Sequence, residues 1–232
     1  MSLNHTIVSI GTLSRNRFWN EQDAKRVAHS TTTLVRSGST AILIDPGLPA
    51  ELLVRRLDER AGMGVGDIDT VFLTNFRPAH RRALPALSKS TWFMHEPEIE
   101  AMRRHLAEMR RSLLDEGPTG KGQSEEELLR LIAAEESLLE RVQSAPEKLT
   151  PAVHLYPTAG VTPGASGLLL AGPARTTIVA GDAVVTRDYF EGGRVWEHAE
   201  DVEEAKRSFM DILEVADEIV PGHDNAFAVF GR

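Results

Sequence analysis

The stretch Val71-Phe72-Leu73-Thr74-Asn75-Phe76-Arg77-Pro78-Ala79-His80-Arg81 decides how the rest of the chain is read. Residues 71–74 make a short apolar, β-branched run of the kind that forms a buried strand, and the loop after it carries polar groups out to one histidine. Arg77 and Ala79 cannot hold a metal, whereas His80 can. What this exit can do therefore depends on which other strand ends deliver a polar side chain next to His80.

Two do so by pattern. Thr176 to Ala180 is a strand-like run leading into Ala180-Gly181-Asp182, and Ile219-Val220 leads into Pro221-Gly222-His223. The glycines ahead of Asp182 and His223 allow close backbone approach. Two imidazoles and a carboxylate form a minimal zinc or iron site with positions left for water or substrate. Taken one at a time, His80 and His223 could be capped or solvated histidines and Asp182 a turn residue.

Short strands are expected at Thr6 to Leu13, Thr31 to Arg36, Ala41 to Ile44 and Thr91 to Met94, with a helix from Ala50 to Arg60. Arg82 to Leu87 suggests a short helix. Residues 97–145 differ in texture: Ile99, Met102, Leu106, Met109 and Leu113 are spaced as the seam of a helix lying along a partner. A Gly/Pro-rich turn over 116–123 follows, and then Ser124 with Glu127 forms a capping box for a second helix. That helix carries Leu128, Ile132, Leu139 and Val142 on a stripe interrupted by Glu135. The pair reads as a helical hairpin set into a β-rich domain, where it could cover core, act as a lid or form a homodimer seam. Strands return at Val153 to Tyr156 and Gly167 to Leu170. Asp201 to Ala216 is amphipathic with Val202, Ala205, Phe209, Ile212, Leu213 and Ala216 inward, and Glu218 to Val220 closes the pattern.

With 232 residues the chain is expected to form one domain over 1–232, the hairpin of 97–145 lying within it. The 34 acidic against 26 basic residues give a net charge of -8, which disfavours a nucleic-acid partner. Absence of cysteine excludes disulfides, thiolate zinc sites and a cysteine nucleophile. Neither a signal-like start nor a long apolar run occurs, so a cytoplasmic protein without membrane contact is expected. No Gly-x-Ser-x-Gly elbow is present, and Trp19, Trp92 and Trp196 read as packing residues. His95 and His154 have structural readings, while His5, His29, His105 and His198 show no partner in the sequence.

The order of motifs says more than any one of them. Ile42-Leu43-Ile44-Asp45-Pro46-Gly47, then Val71 to Thr74 and its loop, then Pro157-Thr158-Ala159-Gly160-Val161-Thr162-Pro163-Gly164, then Val179-Ala180-Gly181-Asp182, then Val220-Pro221-Gly222-His223 resembles the metallo-β-lactamase fold superfamily. Nearly the whole chain outside the hairpin is covered. The resemblance implies an α+β fold, a four-layer αββα sandwich with the site at one end of two facing sheets. The family loop His-x-His-x-Asp-His falls on Asn75, Arg77, Ala79 and His80, and Val161 stands where a further histidine is usual. By this likeness the first metal position keeps only Asp182. The second keeps His80, Asp182 and His223 and lacks a ligand at Ala79, and Asp45 and Asn75 stand just behind these ligands.

Two readings follow. In one, a single metal, zinc or else iron or manganese, sits on His80, Asp182 and His223 and activates water against a small ester, thioester or phosphoester, with Asp182 and Arg77 carrying the chemistry. In the other, the Arg77 guanidinium fills the site through a bidentate pair with Asp182 or Asp45, no metal binds, and the protein is a pseudoenzyme that binds a small molecule or a protein. A milder outcome for Arg77 is that it points into solvent.

Overall fold

The computed structural model describes residues 2–116 and 124–229; of the turn expected over 116–123, Glu116 ends a helix and 117–123 lie outside the described residues. Twelve described strands make two six-stranded sheets. The first runs β1 (Leu3–Ser9), β2 (Thr32–Ser37), β3 (Thr40–Ile44), β4 (Thr70–Leu73), β5 (Thr91–Met94) and β6 (Val142–Ser144), in sequence order. Its first three strands are antiparallel, while β3 to β6 are parallel. In the second sheet, β7 (Lys148–Thr150), β8 (Val153–Pro157), β9 (Ser166–Ala171) and β10 (Thr176–Gly181) are antiparallel. There β11 (Glu218–Pro221) pairs parallel to β10, and β12 (Phe227–Ala228) closes the edge.

Alternation of side chains across each strand builds the layers. Val35, Ile42, Ile44 and Phe72 face inward and meet Val153, Leu168, Leu170, Val179 and Val220 of the other sheet. Their neighbours Leu34, Leu43, Val71 and Leu73 face outward and are covered by Leu53 and Leu57 of α1 (Ala50–Ala61) and by Ile99, Leu106 and Leu139 of the hairpin. On the far side Ile178 and Ile219 pack under Phe209 and Ile212 of α5 (Val202–Val215). The result is the expected αββα sandwich. Residues such as Phe72, with no exposed surface, contribute about 1.5–3 kcal/mol each by leaving water.

The expected hairpin forms as α3 (Glu96–Glu116) and α4 (Glu125–Glu140), and it is the crossover that joins β5 to its parallel neighbour β6. The Ser124–Glu127 capping box closes at both hydrogen bonds. Several local expectations are corrected. Val142 belongs to β6 rather than the helical stripe. Met109 is 44% exposed although it lies on the seam, and Val202, expected inward, is 40% exposed. Helix forms at Pro78–Arg81 (α2), and 84–87 is a single 3-10 turn. Glu135, which interrupts the stripe, pairs with Arg81. Among the described residues, no helix is long and apolar enough to cross a membrane.

Candidate metal centre

The parallel pairs β3–β4 and β10–β11 end at the same edge of the sandwich, and the loops that leave them carry the site. Asp45 follows β3 in the left-handed conformation, φ 50°, which aspartate tolerates better than most residues. Its Oδ1 accepts the Thr74 backbone N–H at 2.9 Å. Its Oδ2 accepts the Thr74 hydroxyl at 2.7 Å and His80 Nδ1 at 2.9 Å. The His80 ring is thereby fixed with Nδ1 protonated, and Nε2 faces Asp182 Oδ2 at 3.2 Å. Asn75 Nδ2 donates to the same Asp182 oxygen at 3.2 Å and lies 3.3 Å from His80 Nε2.

His223 approaches from the opposite side. Its Nδ1 donates to the His29 carbonyl at 3.0 Å, which leaves Nε2 facing Asp182 Oδ1 at 3.2 Å. Two glycines make room for this convergence. A Cβ on Gly181, whose φ is +54°, would stand 2.6 Å from Thr74 Oγ1, and one on Gly222 would stand 2.6 Å from Asp182 Oδ1. All three of His80, Asp182 and His223 are buried, and one ligating atom of each lies within 4.8 Å of the others.

This geometry calls for a positive charge. With both Nδ1 atoms donating to protein acceptors, a neutral His80 and a neutral His223 would turn Nε2 lone pairs toward a buried carboxylate, the first met only by the Asn75 amide. Asp182 Oδ1 has no hydrogen-bond partner among the described residues, despite its 3.2 Å separation from His223 Nε2. A proton or a metal cation resolves the conflict. Burial disfavours a charged His80 ring, but the Asp182 and Asp45 carboxylates outweigh it and bring its pKa up to about 10. Burial likewise works against ionised Asp182, yet His80 and His223 hold it well below the usual carboxylate range. The donor set also suits a metal, since two imidazole nitrogens and a carboxylate are zinc-type ligands and each offers an atom within 4.8 Å of the others.

Arg77 does not form the expected bidentate pair, does not touch Asp45 and does not point into solvent. Its NH1 lies 3.6 Å from Asp182 Oδ2, a single long contact. NH2 donates to the Val161 carbonyl at 3.2 Å, and the guanidinium stacks 4.5 Å from the Trp196 ring centre. NH1 itself is buried and has no hydrogen-bond partner among the described residues. Trp196, expected only to pack, is therefore part of the site's wall. Glu98 of α3 was also not singled out by sequence: it accepts from the backbone N–H groups of Phe76 at 3.3 Å and Gly164 at 3.1 Å, tying the two loops together. His95 and His154 take the structural roles expected, bonding the Gly164 and Pro151 carbonyls.

A cavity of about 430 Å³ opens beside Arg77, lined by Phe76, Pro78, Met102, Thr162 and the α3 residues Glu98 and His105 among others. None of His80, Asp182 and His223 lines it; Arg77 is the group of the site that reaches it.

Residues 26–223 match the family profile of the metallo-beta-lactamase superfamily. No curated protein matches the chain. Among solved structures, the fold is similar to a candidate metallo-beta-lactamase from Thermotoga maritima, at 17% identity and TM-score 0.69, covering 99% of this chain and 100% of that one. It is also similar to the dizinc quorum-quenching lactonase AidC, at 16% identity and TM-score 0.64, covering 84% of this chain and 72% of that one. A third is the hydrolase AbOPH of the beta-lactamase superfamily, at 16% identity and TM-score 0.65, covering 100% of this chain and 88% of that one.

Proposed function

Because the chain belongs to the metallo-beta-lactamase superfamily, we propose that it is a hydrolase of small esters, thioesters or phosphoesters that works with a single divalent metal, zinc first among the candidates, on His80, Asp182 and His223. The observation that carries this reading is the pair of imidazoles whose Nδ1 atoms are committed to Asp45 and the His29 carbonyl, so that both Nε2 atoms meet at one carboxylate. A bound zinc ion would supply Lewis acidity and bring the pKa of a water toward neutrality. The chain's own residues do the rest. Asp45 orients His80 and increases its basicity. Asp182 presents one oxygen to each histidine. Arg77, with NH1 uncommitted, donates to an oxygen of the substrate and offsets the negative charge that grows there during attack. Its fixed charge stands beside Asp182 and Val161, where the family likeness puts the first metal, which supports one ion rather than two. That the similar AidC is a lactonase, and so opens an internal ester, agrees with this substrate class.

The test is elemental analysis of the full chain after zinc loading and desalting, paired with hydrolysis of simple ester and phosphoester chromogens. About one zinc per chain, lost in His223→Ala, is expected. No retained metal and no turnover would overturn the reading. One contact favours a second reading, in which the protein binds a small molecule without metal: the approach of Arg77 to Asp182, which gives the carboxylate a cation already. Under it, zinc would not bind and ligand binding would be insensitive to chelators.

A further inference from the structure

We propose that the ligand of this site carries an aliphatic tail of medium length, and that the tail lies in the groove between α3 and α4. This rests on the reading of the Arg77 side of the site as its reacting end. The cavity beside Arg77 adjoins a second cavity of about 510 Å³ farther along the hairpin, with His105 and Glu108 lining both. Their characters differ. Near the site the walls carry Arg77, Glu98 and Thr162, whereas beyond His105 they are mainly Met109, Leu113, Leu128, Leu131 and Ile132.

That groove is where the helical seam fails to close. Met109 is 44% and Leu131 54% exposed, although Leu106, Leu113 and Ile132 beneath them are buried. An apolar trough leading away from a guanidinium whose NH1 has no hydrogen-bond partner among the described residues matches a molecule with a polar, oxygen-rich head and a hydrocarbon tail. A purely polar substrate would leave the trough unused. From Met102 to Met109 the helix advances about 10 Å. An extended chain gains about 3.5 Å per three bonds, so that span accommodates about eight carbons. The chemistry is an acyl ester or thioester: water adds across the acyl–heteroatom bond, its hydroxyl going to the acyl carbon and its hydrogen to the departing alcohol or thiol.

The test measures binding and turnover separately on the full chain. Calorimetry with acetate, hexanoate and decanoate, with and without zinc, should show affinity rising about twofold to fourfold per methylene, or at least about 16-fold from hexanoate to decanoate. Leu131→Glu should flatten this dependence and Leu131→Met should preserve it. Leu131 is exposed enough for the fold to survive either change, which the circular dichroism spectrum checks. Nitrophenyl esters of the same acids read turnover. Graded binding without turnover upholds the tail site and refutes the hydrolase. Turnover that ignores chain length upholds the hydrolase and overturns the tail site. A dimer that Leu131→Glu splits, with no decanoate binding, also overturns it and assigns the groove to a second copy.

Discussion

Replacing Arg77 with glutamine is expected to tighten zinc binding at His80, Asp182 and His223 by at least about tenfold. Guanidinium NH1 lies 3.6 Å from Asp182 Oδ2, so an ion held by that carboxylate would lie within about 6 Å of the fixed charge. For a dication and a unit charge at that range, Coulomb's law gives about 5 kcal/mol of repulsion at an effective dielectric of about 20 and about 1.4 kcal/mol in water. The Arg77 side chain keeps 28% of its surface exposed, which places the effect toward the screened end, and 1.4 kcal/mol is about a tenfold change in affinity. The backbone N–H at this position still donates to Asn75 Oδ1, so the loop keeps one of its ties. Titration against a chromophoric chelator at fixed ionic strength reads the difference, which should narrow as salt is added. Arg77→Lys, which keeps the charge but loses the guanidinium's contact with the Trp196 ring, should fall between the two. Equal or weaker zinc binding by a folded Arg77→Gln protein would refute the reasoning.

Asp45→Asn keeps the residue's left-handed backbone accessible but weakens the acceptor for His80 Nδ1, so zinc affinity should drop about 10- to 100-fold in the same titration; an unchanged value would detach Asp45 from the site. Phe72→Ala opens a void between the sheets and should lower unfolding free energy by about 3–5 kcal/mol in urea melts; a loss under 1 kcal/mol, read against the order of magnitude for core aromatics, would mean the inter-sheet layer is looser than described. Burial raises the Glu98 carboxyl above its ordinary 4.5, against the opposing hydrogen bonds from Thr162, Phe76 and Gly164. The folded state therefore holds that proton to higher pH than the unfolded chain, and the stability it lends is complete below about 4.5 and fades as pH rises through the folded value. Melts of wild type and Glu98→Gln across that interval should show wild type losing ground to the variant as pH rises, and parallel curves would contradict the assignment.

Much of this was legible because strands and helices impose periods of 2 and 3.6 on apolar residues. Ile42, Leu43 and Ile44 announce a strand buried on both faces, and the outcome is a strand between two cores. The convergence of His80, Asp182 and His223 was legible for a related reason: each follows a buried strand, and such ends gather at one edge of the sheets. Arg77 was legible only in part. Its charge suggested a carboxylate partner, but what holds it is the Val161 carbonyl and the Trp196 face, and neither a backbone oxygen nor a distant aromatic ring is marked by spacing. Met109 failed differently, since its position satisfies the seam and only the gap between α3 and α4 leaves it uncovered. Val142 continues the stripe of α4 in register, yet the chain has already turned into β6, a strand of three residues that no periodicity can reveal.

The segment joining β5 and β6 has one more consequence. Neighbouring strands that run the same way need a long return path, and here that path is the hairpin itself. Deleting it would detach the sheet's last strand, so evolution cannot trim this region as it trims an ordinary surface loop. Any shift in what the groove accepts has to come from exchanging side chains along α3 and α4, which makes these two helices the natural place to randomise a library when a new specificity is sought.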